Sequence, residues 1–361
     1  MSPVPGKNPF GIRWIGILVL LILLAHERPL AQANTAGDPP ADRAQIDLRE
    51  HNGILWQDPG DLKNRNLFYG IGGAEHAPPA DGYTFVEEDL DNSATKLVVQ
   101  DSSGVRWKVK LGPEARGEIA ATRLVWAAGY FTDEDYYLPE LRIKDVPQLK
   151  RGKELVSSKG IVTDARMEHH IEDQKKLGSW KWKGERWSSQ REFNGLKVVM
   201  ALINNWDLKD NNTAIYRQPR PGGGVEIIYA VSDLGASFGQ THLDRQNSKS
   251  NLELYEASEF LSKENENYVR LATPGSPTPW LLVNLKDYFY RRGLMSVTRD
   301  IPREDARWMG QLLSGLSDEQ IRDAFRAGGF SSEESSRFAR VGPSLYAQSI
   351  VVGTPQTRAG G

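Results

Sequence analysis

Apolar and polar residues alternate along Val105-Arg106-Trp107-Lys108-Val109-Lys110-Leu111, with Val105, Trp107, Val109 and Leu111 on one face and Lys108 and Lys110 on the other. A period of two over that length predicts a half-buried strand. Strands also dominate from about Thr84, and resume near Leu141 to Ile143 and Gly160 to Arg166. Between these runs, Pro113 is placed to open a helix reaching about Ala128, with Gly129 just past its end. Glu118 shares a face of that helix with Ala121 and Val125, so it sits on an apolar side and needs a cationic partner there. Farther on, Leu196, Val199, Met200 and Ile203 recur at helical spacing within Glu192 to Asn204.

Thr213-Ala214-Ile215-Tyr216 and Val225 to Val231 are β-rich runs separated by Pro219-Arg220-Pro221-Gly222-Gly223-Gly224, a hairpin with a long turn. Beyond Gly239 the pattern becomes helical. Pro302 opens a helix over Arg303 to Leu313, and Ser317-x-x-Gln320 and Ser331-x-x-Glu334 are capping boxes for two more. The order implies an α+β chain: a β-rich amino-terminal lobe at 66–190, a mainly helical lobe at 191–350 and a frayed tail at 351–361.

The densest chemistry lies at the joint of these halves. Asp207-Leu208-Lys209-Asp210-Asn211-Asn212 precedes the hairpin, and Asp233-Leu234-Gly235 follows it. Phosphoryl transfer needs a carboxylate near the attacking hydroxyl and hard oxygen ligands for a divalent cation, and D-x-K-x-x-N followed by D-x-G offers these groups. The hairpin is expected to deliver Asp233 back beside Asn212. Upstream, Lys108 and Lys110 both qualify as the cation for Glu118, with Lys110 the preferred partner. Glu114, one turn earlier, competes with Glu118.

The set Lys110, Glu118, Asp207, Asn212 and Asp233-Leu234-Gly235 resembles the protein-kinase-like superfamily, in its atypical branches of HipA-like and secretory-pathway kinases. Asn205-Trp206-Asp207 with Asn212 is similar to the N-x-D-x-H-x-K-N loop of HipA-like kinases, with Lys209 standing where that family has His. The resemblance covers roughly residues 83 to 240. It implies a two-lobed protein-kinase-like fold that binds ATP or another nucleotide with Mg²⁺ or Mn²⁺. It assigns Asp207 and Lys209 to catalysis, Lys110 and Glu118 to the nucleotide, and Asn212 and Asp233 to the metal. Departures are plain as well. The hairpin is longer than in common eukaryotic kinases, and no G-x-G-x-x-G loop precedes the lysine strand. Gly70-Ile71-Gly72-Gly73 lies too far upstream, leaving the turn Leu90 to Thr95 as the natural lid by position.

Composition narrows the remainder. A formal net charge of −2 gives no electrostatic footprint for nucleic acid, and the absence of Cys excludes disulfides and lipid-modified cysteine. An apolar run from Ile15 to Ala25, preceded by Lys7 and Arg13 and followed by Ala31-Gln32-Ala33, predicts an export signal over 1–33 cleaved after Ala33, with an uncleaved membrane anchor as the minority reading. Residues 34–65 read as a flexible linker or loosely docked arm. His169-His170 look like a metal cue, but no other His or Cys lies at ligand spacing, so they are assigned to a surface or strand end. Trp180, Trp182 and Trp187, interleaved with Lys181, Lys183 and Arg186, suggest a nucleic-acid or carbohydrate surface, with core or interlobe packing the preferred reading.

Three functions fit: an exported phosphotransferase, a pseudokinase-like binding module, or an envelope carbohydrate- or protein-binding protein. The acceptor hydroxyl, on a protein, lipid, sugar or metabolite, leaves no readable motif.

Overall fold

A computed structural model describes residues 53–90, 94–112, 114–184, 187–220, 222–239, 249–272, 293–294 and 296–341. The expected export signal, the arm before Gly53, the centre of the expected lid turn at 91–93, Pro113 and the tail lie outside them.

Five strands close into a barrel: β1 (Tyr83–Asp89), β2 (Lys96–Gln100), β3 (Arg106–Leu111), β5 (Asp135–Lys144) and β6 (Ile161–His169), in the order β1-β2-β3-β6-β5. All neighbours are antiparallel except the closing pair, where β1 runs parallel to β5 through Tyr83 and Ile143. The alternation in β3 turns Trp107, Val109 and Leu111 into the barrel with Leu97, Val99, Val162, Ala165 and Met167. The β2–β3 turn is pinned by Asp101, whose carboxylate accepts the backbone N–H groups of Ser103 and Val105 and the Trp107 indole N–H at 3.0 Å.

Helix α1 (Glu114–Ala127) has two faces. Ala120, Ala121, Leu124 and Val125 join the larger hydrophobic core, which also holds α2 (Arg191–Leu202). Glu118, Thr122 and Arg123 meet the outer face of the barrel, where β3 and β6 present Lys110 and Arg166. This face is docked by buried ion pairs, which explains how a helix can be buried almost all round while carrying charge.

A second sheet runs β4-β9-β8-β7, from β4 (Phe131–Thr132), β7 (Lys175–Gly178), β8 (Thr213–Pro219) and β9 (Val225–Val231). Strands β8 and β9 form the expected hairpin, with Thr213 opposite Val231. The three tryptophans lie beneath this sheet, at most 6% exposed. Trp180 is 4.8 Å from Trp182 and 5.6 Å from Trp187 between ring centres, and its indole N–H donates to Ala230 O at 2.8 Å. They are core, so the sugar-surface alternative loses its binding face.

The carboxy-terminal part adds α3 (Leu252–Glu256), a small sheet of β10 (Leu261–Glu264), β11 (Tyr268–Leu271) and β12 (Ile301–Pro302), then α4 (Arg303–Leu313), α5 (Asp318–Ala327) and α6 over 332–341. Both capping boxes form: Ser317 Oγ accepts the Gln320 N–H and Ser331 Oγ that of Glu334, while each N3 side chain accepts the cap's own N–H. No described helix is long and apolar enough to cross a membrane.

Residues 53–65, within the segment expected to be a flexible linker or loosely docked arm, are docked: Leu55 and Leu62 enter the larger core, Ile54 bridges Ile228, and the Arg65 guanidinium covers the Trp126 ring at 4.4 Å. Two buried leucines remove apolar surface that a free arm would leave in water.

Candidate active site

Lys110 is the centre of the site. Its Nζ lies 2.7 Å from Glu118 Oε2, 3.2 Å from Glu114 Oε2 and 3.2 Å from Asp233 Oδ1. Strand parity sends Lys108 to the same face, but Lys108 is half exposed and pairs with Asp89 at 3.7 Å rather than with an acid of α1. Both candidate acids of α1 therefore meet the same lysine. Glu118 is fully buried, whereas Glu114 is partly exposed and also pairs with Lys249. Burial opposes a charge on Lys110, and Glu118, Asp233 and Glu114 more than reverse it, holding the ammonium well above the usual lysine range.

The other residues come from α2 and the hairpin. Helix α2 ends at Leu202 with Ile203 as its C-cap, and Asn204 follows in the left-handed region at φ 51°. Asn205 then fixes the loop: its Oδ1 accepts the Asp207 N–H at 3.0 Å and its Nδ2 donates to Ser237 Oγ at 3.1 Å. Lys209 Nζ donates to the Asp207 carboxylate at 2.8 Å. Asn212 Nδ2 donates to Asp207 O at 2.8 Å and to Asp207 Oδ2 at 3.2 Å. Asn212 immediately precedes β8 and Asp233 follows β9 by two residues, so the Thr213–Val231 pairing sets them at the same end of the hairpin. There the Ser232 N–H donates to Asn212 O at 3.0 Å.

Asp233 therefore links the hairpin to the Lys110 cluster. Burial raises its carboxyl, and the Lys110 ammonium and the Gly235 N–H together more than reverse that, bringing it to about 2. A Cβ at Gly235 would lie 2.8 Å from Glu114 Oε2 and 2.9 Å from Lys110 Nζ, so a side chain there would push the tips of the ion cluster aside.

The donor chemistry suits a hard divalent cation. Asp207 and Asp233 supply carboxylates, and Asn212, with its amide nitrogen spent on Asp207, keeps its amide oxygen. Both contacts of Asp233 use Oδ1. A cavity of about 310 Å³ lies on the same barrel face as Lys110, lined by Glu87, Val98, Lys108 and Glu168 above and Gln174 and Tyr216 below. A larger cleft of about 870 Å³, near Arg142 and Lys153 at the barrel's end, contains none of the candidate residues.

Arg166 is the residue sequence reasoning missed. Buried in β6, it lies 3.4 Å from Glu118, 3.0 Å from Asp135, 3.2 Å from Asp133 and 2.8 Å from Glu168. It holds Glu118 from the side opposite Lys110. The alternation of β6, with Ala165 and Met167 inward, marks Arg166 as facing α1, and that was the available signal. Gly70 to Gly73 is a docking turn: Gly70 lies against Arg123, Gly72 against Glu134, and Gly73 O accepts the Tyr136 hydroxyl at 3.0 Å.

Protonating Asp233 costs the folded protein stability in acid. The folded pKa lies below the unfolded one of about 3.9, so the stabilisation is present above that pH and is lost as pH falls toward about 2. Thermal melts should show the wild type losing more Tm across this window than Asp233→Asn, which has no proton to gain there. Equal losses would remove Asp233 from the acid response.

No family model matches the chain, and no curated protein matches it. Solved structures do. A Helicobacter pylori proinflammatory kinase, CtkA, aligns at 11% identity and TM-score 0.39 over 75% of this chain and 95% of its own. A Golgi casein kinase aligns at 9% and 0.32 over 91% and 94%, and the same kinase with Mn/ADP bound at 9% and 0.32 over 92% and 94%. The functional reading rests on the geometry of the site itself.

Proposed function

We propose that the chain is an exported, ATP-dependent phosphotransferase of the atypical kinase type, acting on a hydroxyl acceptor. The observation that carries this is the junction at Lys110, where a buried strand lysine, a helix glutamate and the D-x-G aspartate meet within 3.2 Å. A strand lysine paired with a helix glutamate is the arrangement that grips nucleotide phosphates in kinases, and the D-x-G aspartate is a metal ligand there. Export is inferred from the apolar run Ile15 to Ala25 and the small residues before Asn34.

Roles follow from position. Lys110 presents its charge to the phosphates, oriented by Glu118, which Arg166 holds in turn. Asp233 and Asn212 would hold Mg²⁺ or Mn²⁺, with the bound ion neutralising phosphate charge. Asp207, fixed by Asn205 and Asn212, orients the acceptor hydroxyl and takes its proton. Lys209 sets a cation beside it, where charge spreads over the transferred group. The 310 Å³ cavity beside Lys108 takes the nucleoside.

The test is a thermal shift of the full chain with ATP, with and without Mg²⁺ or Mn²⁺. Wild type should gain Tm only when nucleotide and metal are both present. Lys110→Met should lose most of that gain. No shift in wild type with any purine nucleotide and either metal would end the nucleotide reading.

A further inference from the structure

We infer that His76, Glu134 and His169 form a binding site for a borderline transition-metal ion of the zinc class, separate from the hard-cation ligands at Asp207, Asn212 and Asp233. Three segments distant in sequence meet here: His76 before β1, Glu134 between β4 and β5, and His169 as the last residue of β6. His76 Nδ1 and His169 Nδ1 each lie 2.9 Å from Glu134 Oε1, and the three candidate ligand atoms are all within 4.8 Å of one another. The Glu134 and His169 backbones are joined, His169 N–H to Glu134 O at 2.8 Å.

The arrangement is built. The Glu134 side chain is 8% exposed, and Gly72 packs so closely that a Cβ would strike both its carboxylate and the Tyr136 hydroxyl. His169 is wedged between the Trp107 ring at 5.1 Å and the His76 ring at 5.1 Å. Its Nδ1 is shut off from solvent and lies 2.9 Å from the same Glu134 oxygen that His76 Nδ1 contacts. Two imidazole nitrogens gathered on one buried carboxylate oxygen are ligand atoms that a single cation can share in place of a proton.

Ligand type selects the metal. Two imidazoles and one carboxylate are a donor set of zinc sites, whereas Mg²⁺ and Ca²⁺ prefer oxygen alone. Bonds of about 2.0 Å in a tetrahedral array put ligand atoms about 3.3 Å apart. The two His–Glu separations of 2.9 Å need a few tenths of an ångström of opening, and the third pair, the two imidazoles within 4.8 Å of each other, is brought to that spacing by His76, which is half exposed and can move. The same exposure leaves the fourth position open to water or another ligand. Bound metal would tie the 70–77 turn to the barrel rim, next to Asp133 and Asp135, which hold Arg166.

The inference does not depend on the phosphotransferase reading, and its test does not read activity. The full chain, without a polyhistidine tag and stripped of metal, is titrated with Zn²⁺ by calorimetry and with Co²⁺ by visible absorption. Wild type should bind one ion per chain, with the intense d–d bands of low-coordinate cobalt, and should melt higher with Zn²⁺ than without. His76→Ala and Glu134→Gln should lose the bands and the Zn²⁺-dependent rise in Tm, while Asp233→Ala and the neighbouring His170→Ala keep both. Since His76 is half exposed, its variant remains readable if changes at buried Glu134 or His169 impair folding. Absence of a stoichiometric ion in wild type, or undiminished binding by His76→Ala, would overturn the site.

Discussion

Arg166→Ala is expected to destabilise the protein by about 3–5 kcal/mol, the cost of removing one partner from a buried ion pair. Arg166 lies among four carboxylates, those of Glu118, Asp133, Asp135 and Glu168, with its own side chain 4% exposed. Arg123 relieves Asp135 at 2.9 Å and Lys110 relieves Glu118 at 2.7 Å, but among the described contacts Asp133 has only Arg166 and the Tyr216 hydroxyl. The cluster is already short of positive charge. Burial and nearby Glu168 push the Asp133 carboxyl well above the usual carboxylate range, against the pull of Arg166. Without the guanidinium, further carboxyls must take protons or remain buried as unpaired charges. Urea unfolding of Arg166→Ala and Arg166→Met reads the cost, and a loss below about 1 kcal/mol would mean that the cluster is as well solvated as a surface pair. Arg166 touches the site through Glu118. Arg166→Met is therefore also expected to weaken the metal-dependent nucleotide shift, and Arg166→Lys to restore part of it.

The parts of this protein legible in the sequence are those governed by local rules. The alternation from Val105 to Leu111 sets β3 and leaves only Lys108 or Lys110 to meet α1. Gly129 and the capping boxes at Ser317 and Ser331 place helix ends within a residue or two. The glycine-rich turn before Val225 announces a hairpin and, through it, the approach of Asp233 to Asn212. What was not legible depends on contacts across long separations. Nothing local says that Tyr83 runs parallel to Ile143, because barrel closure depends on twist accumulated over five strands. Strand β7 begins with two lysines and β10 carries Lys263 and Glu264, so neither shows the apolar alternation of a half-buried strand. The partners of Arg166 were not legible, because Glu118, Asp133 and Asp135 come from other segments of the chain. His76 and His169 fit no ligand-spacing motif, since the chain between them builds nearly the whole barrel. The choice between Glu114 and Glu118 was also drawn too sharply, for a lysine donates to several acceptors and both acids are on it.

Asp207→Ala is expected to lower phosphate transfer by on the order of 10²–10⁴-fold, the usual contribution of a positioned base, while leaving metal-dependent nucleotide binding in place. The loop is built around this carboxylate: Asn205 fixes its backbone, Asn212 donates to it, and Lys209 neutralises it. Removing it leaves Lys110 and Asp233 with their own partners, so binding and turnover should separate. Asp233→Ala should behave differently, losing metal-dependent binding and transfer together, because that side chain serves both as a hard ligand and as a partner of Lys110. The measurement is transfer of labelled γ-phosphate from ATP, with Mg²⁺ and with Mn²⁺, to the protein itself and to protein, lipid, sugar and small-metabolite acceptors, in parallel with the thermal shift. Equal label on wild type and Asp207→Ala would assign the proton to another group. A wild type that binds nucleotide with metal yet transfers nothing would make this a pseudokinase, with the Lys110–Glu118–Asp233 junction retained for binding alone. The transfer assay separates the two, and the proposed function favours turnover because a chain needing only to hold a nucleotide gains nothing from an Asp207 carboxylate fixed by two asparagines and a lysine.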